Sequence, residues 1–435
     1  MEIPIVYVNI SAENIFGIRH GLETLSQLIA VNTTSNYNIL SMISQGLIKD
    51  GPKFHHRGLL IDTSRHYLKL STIKKQIDGL RMNKMNVLHW HVTDSHSFPM
   101  LLPNVPQLAQ YGAYSNDKVY TLNDIEEIIK YGKTRGVRII LEIDTPSHAG
   151  NGWQFGEFEV EKNLGELATC LNYFPYNLYC LQPPCGQINP MNDNVYVILE
   201  KLFRDIGKVY ENKEYFHLGG DEVSIGCWKT NKDVFNYIKN LNVSDTRMGY
   251  LTLWAKYQNK IVNIYNKTIT NGNQKVIIWS SGLTSYKTAN KFLDKNKYII
   301  QTWVPKGSKL PNYLLKSGFE VIISPKNYWY LDHGIRSKTR YSTWRQIFAN
   351  KLPKHKNVLG GEVCLWGEYV DDINIETKIW PRAAAVAERL WTNSKRDRSK
   401  DVEHRFYLHR ERLVANQIGA EPVAPEWCVQ NEGKC

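Results

Sequence analysis

After residue 53, short apolar runs alternate with amphipathic stretches, and that alternation restricts the chain to folds built on a parallel sheet. The runs are 58–62, 86–92, 137–143, 215–218, 275–279, 298–303, 319–323 and 357–365. Between most of them lie segments such as 73–82 and 121–135, whose apolar residues step by three and four, as on one helix face. Eight strands, most followed by a helix, predict an α/β fold, a (β/α)8 TIM barrel over residues 53–415. The rival is a doubly wound sheet, which wants a glycine-rich phosphate turn after its first strand. Here the first strand runs into Asp62-Thr63-Ser64-Arg65 instead. Residues 1–52 read as a strand at 3–8, a helix at 16–30 and a short strand near 37–42, too little for a core of their own. The Cys-, Pro- and Asn-rich stretch 151–193 reads as a long loop, and residues 416–435 as a C-terminal tail.

A barrel collects its chemistry at the C-terminal ends of its strands. The first strand ends in Asp62 and Arg65, the second in His89, His91 and Asp94, and the third in Glu142, Asp144 and His148. The fourth ends in His217-Leu218-Gly219-Gly220-Asp221-Glu222. Trp279 and Trp303 end the fifth and sixth, the seventh leads to Tyr330 and Asp332, and the eighth to Trp366 and Glu368. Any one of these is explained as a core aromatic or a solvated loop charge. Together they point to a sugar site, because indoles stack on the C–H faces of a pyranose while carboxylates and arginine bind its hydroxyls. His89-Trp90-His91 keeps a metal-dependent hydrolase open, since two histidines on one strand face can ligate an ion. They serve equally well as supports inside the barrel.

The adjacent pair Asp221-Glu222 is the sharpest constraint on mechanism. Retaining glycosidases usually place two carboxylates about 5–5.5 Å apart across the scissile bond. Neighbours in sequence do not easily take opposed positions. Either one of the two is structural, or the nucleophile is not supplied by the protein. Gly219 and Gly220 imply unusual backbone or a close approach just before the pair.

A hydrophobic share of 42% is that of a chain with a substantial core. The formal charge of +12 is spread, with only short basic clusters at 395–398 and 404–405, so it reads as solvated surface and not as a nucleic-acid site. No run approaches the roughly 20 apolar residues of a membrane span. Sequons occur at Asn9, Asn32, Asn242 and Asn266. Cys180 with Cys185, and Cys428 with Cys435, have the spacing of small closed loops. Cys170 and Cys227 are left for a third bridge, and Cys364 for a buried free thiol. Zinc is the rival reading, but paired C-x2-C knuckles are missing. Disulfide-type cysteines without a leader peptide suggest a secretory-pathway protein whose N-terminus is truncated.

The segments 56–67, 86–91, 144–148, 217–222 and 380–385 resemble, in order, the glycoside hydrolase family 20 β-N-acetylhexosaminidases; His217-Leu218-Gly219-Gly220-Asp221-Glu222 is the most specific. The Cys180–Cys185 loop and the tail 426–435 look most like arthropod members. The resemblance implies a retaining exo-hydrolase that releases terminal β-linked GlcNAc or GalNAc, with the substrate's acetamido group as nucleophile and an oxazolinium intermediate. It implies Glu222 as acid and base, Asp221 on the acetamido N–H, and Tyr330 on the acetamido oxygen. Trp279, Trp303 and Trp366 would wall the pocket. Arg65, Asp332 and Glu368 would read hydroxyls, with His148 and Asp94 supporting the acids. No cofactor or metal is implied. The expected partner is an oligosaccharide or glycoconjugate, in a homodimer as is common among such enzymes. Residues 1–52 would be the remnant of an α+β domain. An inactive sugar-binding homologue and a metal-dependent barrel hydrolase stay open as alternatives.

Overall fold

The computed structural model describes the chain except residues 1–4, 35–36, 211–214, 242–245, 271, 273, 336–339, 395–399, 432–433 and 435. Seven parallel strands form the central sheet: β1 (His56–Asp62), β2 (Val87–Thr93), β3 (Arg138–Ile143), β4 (Val276–Trp279), β5 (Tyr298–Thr302), β6 (Glu320–Ile323) and β7 (Val358–Leu365). Pairing runs β4-β5-β6-β7-β1-β2-β3, so the chain's first and last barrel strands are neighbours. The gap between β3 and β4 is closed by the fourth expected strand, shrunk to one residue: His217 bridges Glu142 on one side and Ile277 on the other. Four backbone hydrogen bonds of 2.8–3.2 Å sew residues 216–218 to both neighbours, completing the ring. The segment is short because Gly219 and Gly220 follow with φ of +58° and +84°, a left-handed path that leaves the sheet. A short strand, Tyr330–Asp332, pairs beside the upper half of β7.

The outer layer follows from periodicity. Helix Leu122–Thr134 begins with a Thr121–Asp124 capping box and buries Ile125, Ile128, Ile129 and Gly132, one stripe of the helix. Helix Leu70–Met82 buries Ile73, Ile77 and Leu80 in the same way. The stretch 151–193 is a long loop with only short elements, tied by Cys170–Cys227 and Cys180–Cys185. Cys227 lies in the helical turn Ile225–Trp228, directly after Glu222, so the first bridge anchors the loop to the site-bearing segment. Cys364 is free and buried. The third expected bridge falls on Cys435, outside the described residues.

Three expectations need correction. Residues 5–12 form no strand, and residues 3–4 lie outside the described part. The first helix is Ile15–Leu28, capped by Asn14, and Ala30 instead opens a strand, Ala30–Thr34, antiparallel to Tyr37–Ser41. The β-branched residues Val31, Thr33 and Thr34 favour extension over another helical turn. Asn266 is a poor glycan acceptor. It is buried, and its Oδ1 accepts from the Gln274 N–H and the Thr270 hydroxyl, both at 3.1 Å. Asn242 lies outside the described residues, while Asn9 is exposed.

Candidate active site

The C-terminal mouth of the barrel holds a cavity of about 380 Å³. Its lining includes Arg65, Asp94, His148, Asp221, Glu222, Trp303, Tyr330, Trp366 and Glu368, nine of the residues expected from sequence. Seven different strand ends therefore converge on one space, as the barrel predicts.

The fourth segment aims the acid pair. A Cβ on Gly219 would sit 1.8 Å from the Asp144 Oδ1, so only glycine lets that carboxyl pass. The Gly220 N–H then donates to Asp144 Oδ1 at 2.9 Å. Glu222 and His148 both have left-handed backbone, φ +51° and +57°, conformations held at functional sites only when their surroundings impose them. His148 is the common partner. Its Nε2 lies 3.4 Å from Glu222 Oε2 and 4.0 Å from Asp221 Oδ2, and its Nδ1 lies 3.1 Å from Asp94 Oδ2. Two acids hanging from one imidazole cannot face each other across a sugar ring.

The electrostatics sort these groups. Burial works against the His148 cation, but Asp94 and Asp144 outweigh it and raise its pKa well above the ordinary value. Burial, then the neighbouring Asp221 charge, pushes Asp144 well up. Burial is also the main force raising Asp221, to about 6, with Glu222 adding to it and His148 opposing. The Tyr330 phenol is pushed well above 10 by burial and then by the charges of Cys364 and Asp221, so it remains a donor. Burial would lower Arg65, but Asp94, Asp62 and Glu368 reverse this and hold it charged.

Arg65 pairs with Asp62 at 3.0 Å and Asp94 at 2.9 Å, while its guanidinium stacks 5.2 Å from the Trp366 ring. Its Nε, Asp221 Oδ1 and Glu368 Oε2 are buried polar atoms without a hydrogen-bond partner among the described residues. Such atoms cost free energy until a ligand satisfies them, and all three belong to residues that line the same cavity. The Trp303 indole N–H is fixed on Ser280 O at 2.7 Å.

Two expected residues sit differently. Trp279 is fully buried beneath the cavity, with its indole N–H on Glu142 Oε1 at 2.6 Å, and it packs against Trp366 as floor rather than wall. Asp332 does not line the cavity, and its carboxylate is paired with Lys378. Sequence reasoning left Asp144 out of the site, although it marked that residue as a strand end. It also missed Tyr176, Leu181, Gln182, His333, Gly334 and Ile335, which complete the lining from two loops whose paths no local pattern reveals.

Metal-type donors do cluster below the site: one atom each of His89, Glu142 and His217 lie within 4.8 Å of one another. In the structure His89 faces Glu362 and Glu142, and His91 faces Glu142 and Asp94, all at ion-pair distance.

A parallel barrel with carboxylates, one arginine and indoles around its mouth defines a glycoside-hydrolase type of site. The sequence profile of Glycosyl hydrolase family 20, catalytic domain, matches residues 54–394. The chain belongs to that family. It is 38% identical over 443 residues to a chitooligosaccharidolytic β-N-acetylglucosaminidase of Bombyx mori, covering 99% of this chain and 72% of that protein. It is 35% identical to the β-hexosaminidase subunit beta of Homo sapiens, covering 96% of this chain and 70% of the relative. The Flavobacterium johnsoniae chitobiase structure matches with a TM-score of 0.73 at 26% identity, over 92% of this chain and 57% of that one.

Proposed function

We propose that the chain is a retaining exo-β-N-acetylhexosaminidase that removes terminal non-reducing β-linked GlcNAc or GalNAc from chitooligosaccharides or glycoconjugates. The observation that carries the mechanism is the shared imidazole: Asp221 and Glu222 both hang from His148, on one side of the cavity. A protein nucleophile needs a carboxylate opposite the acid, whereas a substrate acetamide attacks from within the sugar itself. Glu222 protonates the leaving oxygen and then takes the proton of the incoming water. Asp221 accepts the acetamido N–H and stabilises the positive charge of the oxazolinium. Tyr330 donates to the acetamido oxygen. Arg65, Glu368 and Asp332 read the hydroxyls, the last after exchanging Lys378 for the sugar. Trp303 and Trp366 flank the ring above Trp279.

Residues 1–52, 53–415 and 416–435 are taken as α+β-type sequence, the catalytic barrel and a tail. Two disulfides fit folding in an oxidising compartment, which supports the secretory pathway. No described helix is long and apolar enough to cross a membrane. Assembly as a homodimer rests on the family resemblance.

The test compares two isosteric variants on two substrates. Glu222→Gln should recover most with a nitrophenyl leaving group that needs no proton. Asp221→Asn should stay roughly 10²–10³-fold slow even there, the scale of losing one electrostatic stabiliser. A thiazoline mimic of the intermediate should inhibit the wild type and bind Asp221→Asn less well. A covalent glycosyl-enzyme trapped by a 2-fluoro sugar would sink the substrate-assisted reading.

A further inference from the structure

The barrel interior contains titratable groups that the proposed reaction does not touch, and they are arranged in a row. His56 Nε2 lies 2.6 Å from Glu362 Oε1, and Glu362 Oε2 lies 2.8 Å from His89 Nδ1. His89 Nε2 is 3.0 Å from Glu142 Oε2, which also takes His91 Nδ1 at 2.6 Å. His91 Nε2 reaches Asp94 Oδ2 at 3.1 Å. From Asp94 the row enters the site through His148 and ends at Glu222. Base and acid alternate over eight residues, and the side chains from Glu362 to Asp94 are at most 1% exposed. The fold makes room for this row: a Cβ on Gly58 would sit 2.6 Å from the Glu362 side chain.

Burying such groups is costly unless each is paired, so the row is held as a set or lost as a set. The ends of the row are not linked by aligned hydrogen bonds throughout; the His89 and His148 Nε2 atoms make ion-pair contacts without hydrogen-bond geometry. That favours charge coupling over proton passage. We infer that the row acts as one ionised unit, and that Glu362 is a remote positioning residue setting the charge against which Glu222 takes up and returns its proton. Glu362 touches neither the cavity lining nor the reacting atoms, and the inference rests on Glu222 being the acid.

The groups facing each end can be named. Glu362 faces His56 from β1, His89 from β2 and the Gln301 amide from β5 at 2.7 Å, with Cys364 on its own strand and His217 and Glu142 behind His89. Glu222 faces His148, Asp221 and Tyr330. Burial would lower His89, but Glu362 first and then Glu142 raise it to about 9. Glu362→Gln takes one negative charge out of the row, so the field at the acid turns more positive.

The experiment is the pH dependence of kcat/KM for diacetylchitobiose, a substrate whose leaving group needs the acid. In Glu362→Gln the alkaline limb should move down by roughly half to one pH unit, a loss of roughly 3–10-fold on that limb, with KM near the optimum unchanged. Glu362→Asp, which restores the charge, should return the limb toward the wild type. A folded Glu362→Gln protein with an unmoved limb overturns the inference while leaving the proposed function standing. Wild-type activity in Glu222→Gln on the same substrate overturns both. Should Glu362→Gln not fold, ¹⁵N-histidine spectra of the wild type decide: His89 doubly protonated at pH 7 upholds the charged row, and a neutral His89 sinks it.

Discussion

The inside of this barrel is two different materials stacked on one another. The lower layer is Val87, Ile140, Ile277, Ile299 and Ile322, close-packed branched side chains of the kind that fill most such barrels. One inward step up each strand, the material changes: Val87 gives way to His89, Ile140 to Glu142 and Ile299 to Gln301. Strands with the same register and nearly the same burial thus carry an apolar plug below and an ionic lattice above. The lower layer resists unfolding without regard to pH. The upper one is stable only while its acids and imidazoles stay paired, and it holds Asp94 and His148 where the site needs them. The lattice is best understood as support for chemistry, since apolar residues of the same volume would be as stable or more so.

That contrast can be broken experimentally. The largest effect should come from Glu142→Gln, because Glu142 serves His89, His91 and the Trp279 indole at once. Losing one partner of a buried ionic cluster costs about 3–5 kcal/mol, read as a drop in denaturant midpoint. Activity should fall with it, since Trp279 and His91 lose their anchor. In the plug, Ile299→Ala should cost about 2–4 kcal/mol with no change in the shape of the stability–pH curve. An equal pH effect in both variants would erase the distinction between the layers.

The next effect is in the wild type itself. His89 has a folded pKa near 9, above its unfolded value of about 6.5. A raised pKa contributes stability that is complete below the unfolded value and is lost as pH rises through the folded one. Glu362 and Glu142 are depressed by the imidazoles despite their burial, so their contribution is complete above about pH 4.3 and fades on acidification. Thermal scans should therefore show a plateau near pH 5–6.5 with decline on both sides, and Glu142→Gln should flatten the alkaline decline. A wild-type melting temperature still constant at pH 9.5 would contradict the charged lattice. The smallest expected effect is Ile277→Val, one methylene from the plug, at about 0.5–1.5 kcal/mol and with no change in kcat/KM.

Much of this was legible in the chain. Strand spacing and helical periodicity are local, so the barrel and its eight positions could be read directly, including 215–218, after which Gly219 and Gly220 predicted the odd backbone just before the acid pair. The convergence of nine cavity residues followed from one rule, that strand ends meet at a barrel mouth. What the sequence could not reveal depends on distance through space. His89 and His91 looked like either metal ligands or supports, and only the ring, with β3 beside β2 and β7 one strand beyond β1, surrounds them with Glu142 and Glu362. Asp332 was expected to read a sugar hydroxyl, and no local pattern told that Lys378, 46 positions away, pairs with its carboxylate. The sequon at Asn266 satisfies a local rule that burial overrides. Alternation of side chains along a strand is set by the peptide backbone, so the sequence decides which residues point inward. Which of them meet, and so which charges are neutralised, is decided by strand register around the closed ring, and only the tertiary structure has that information.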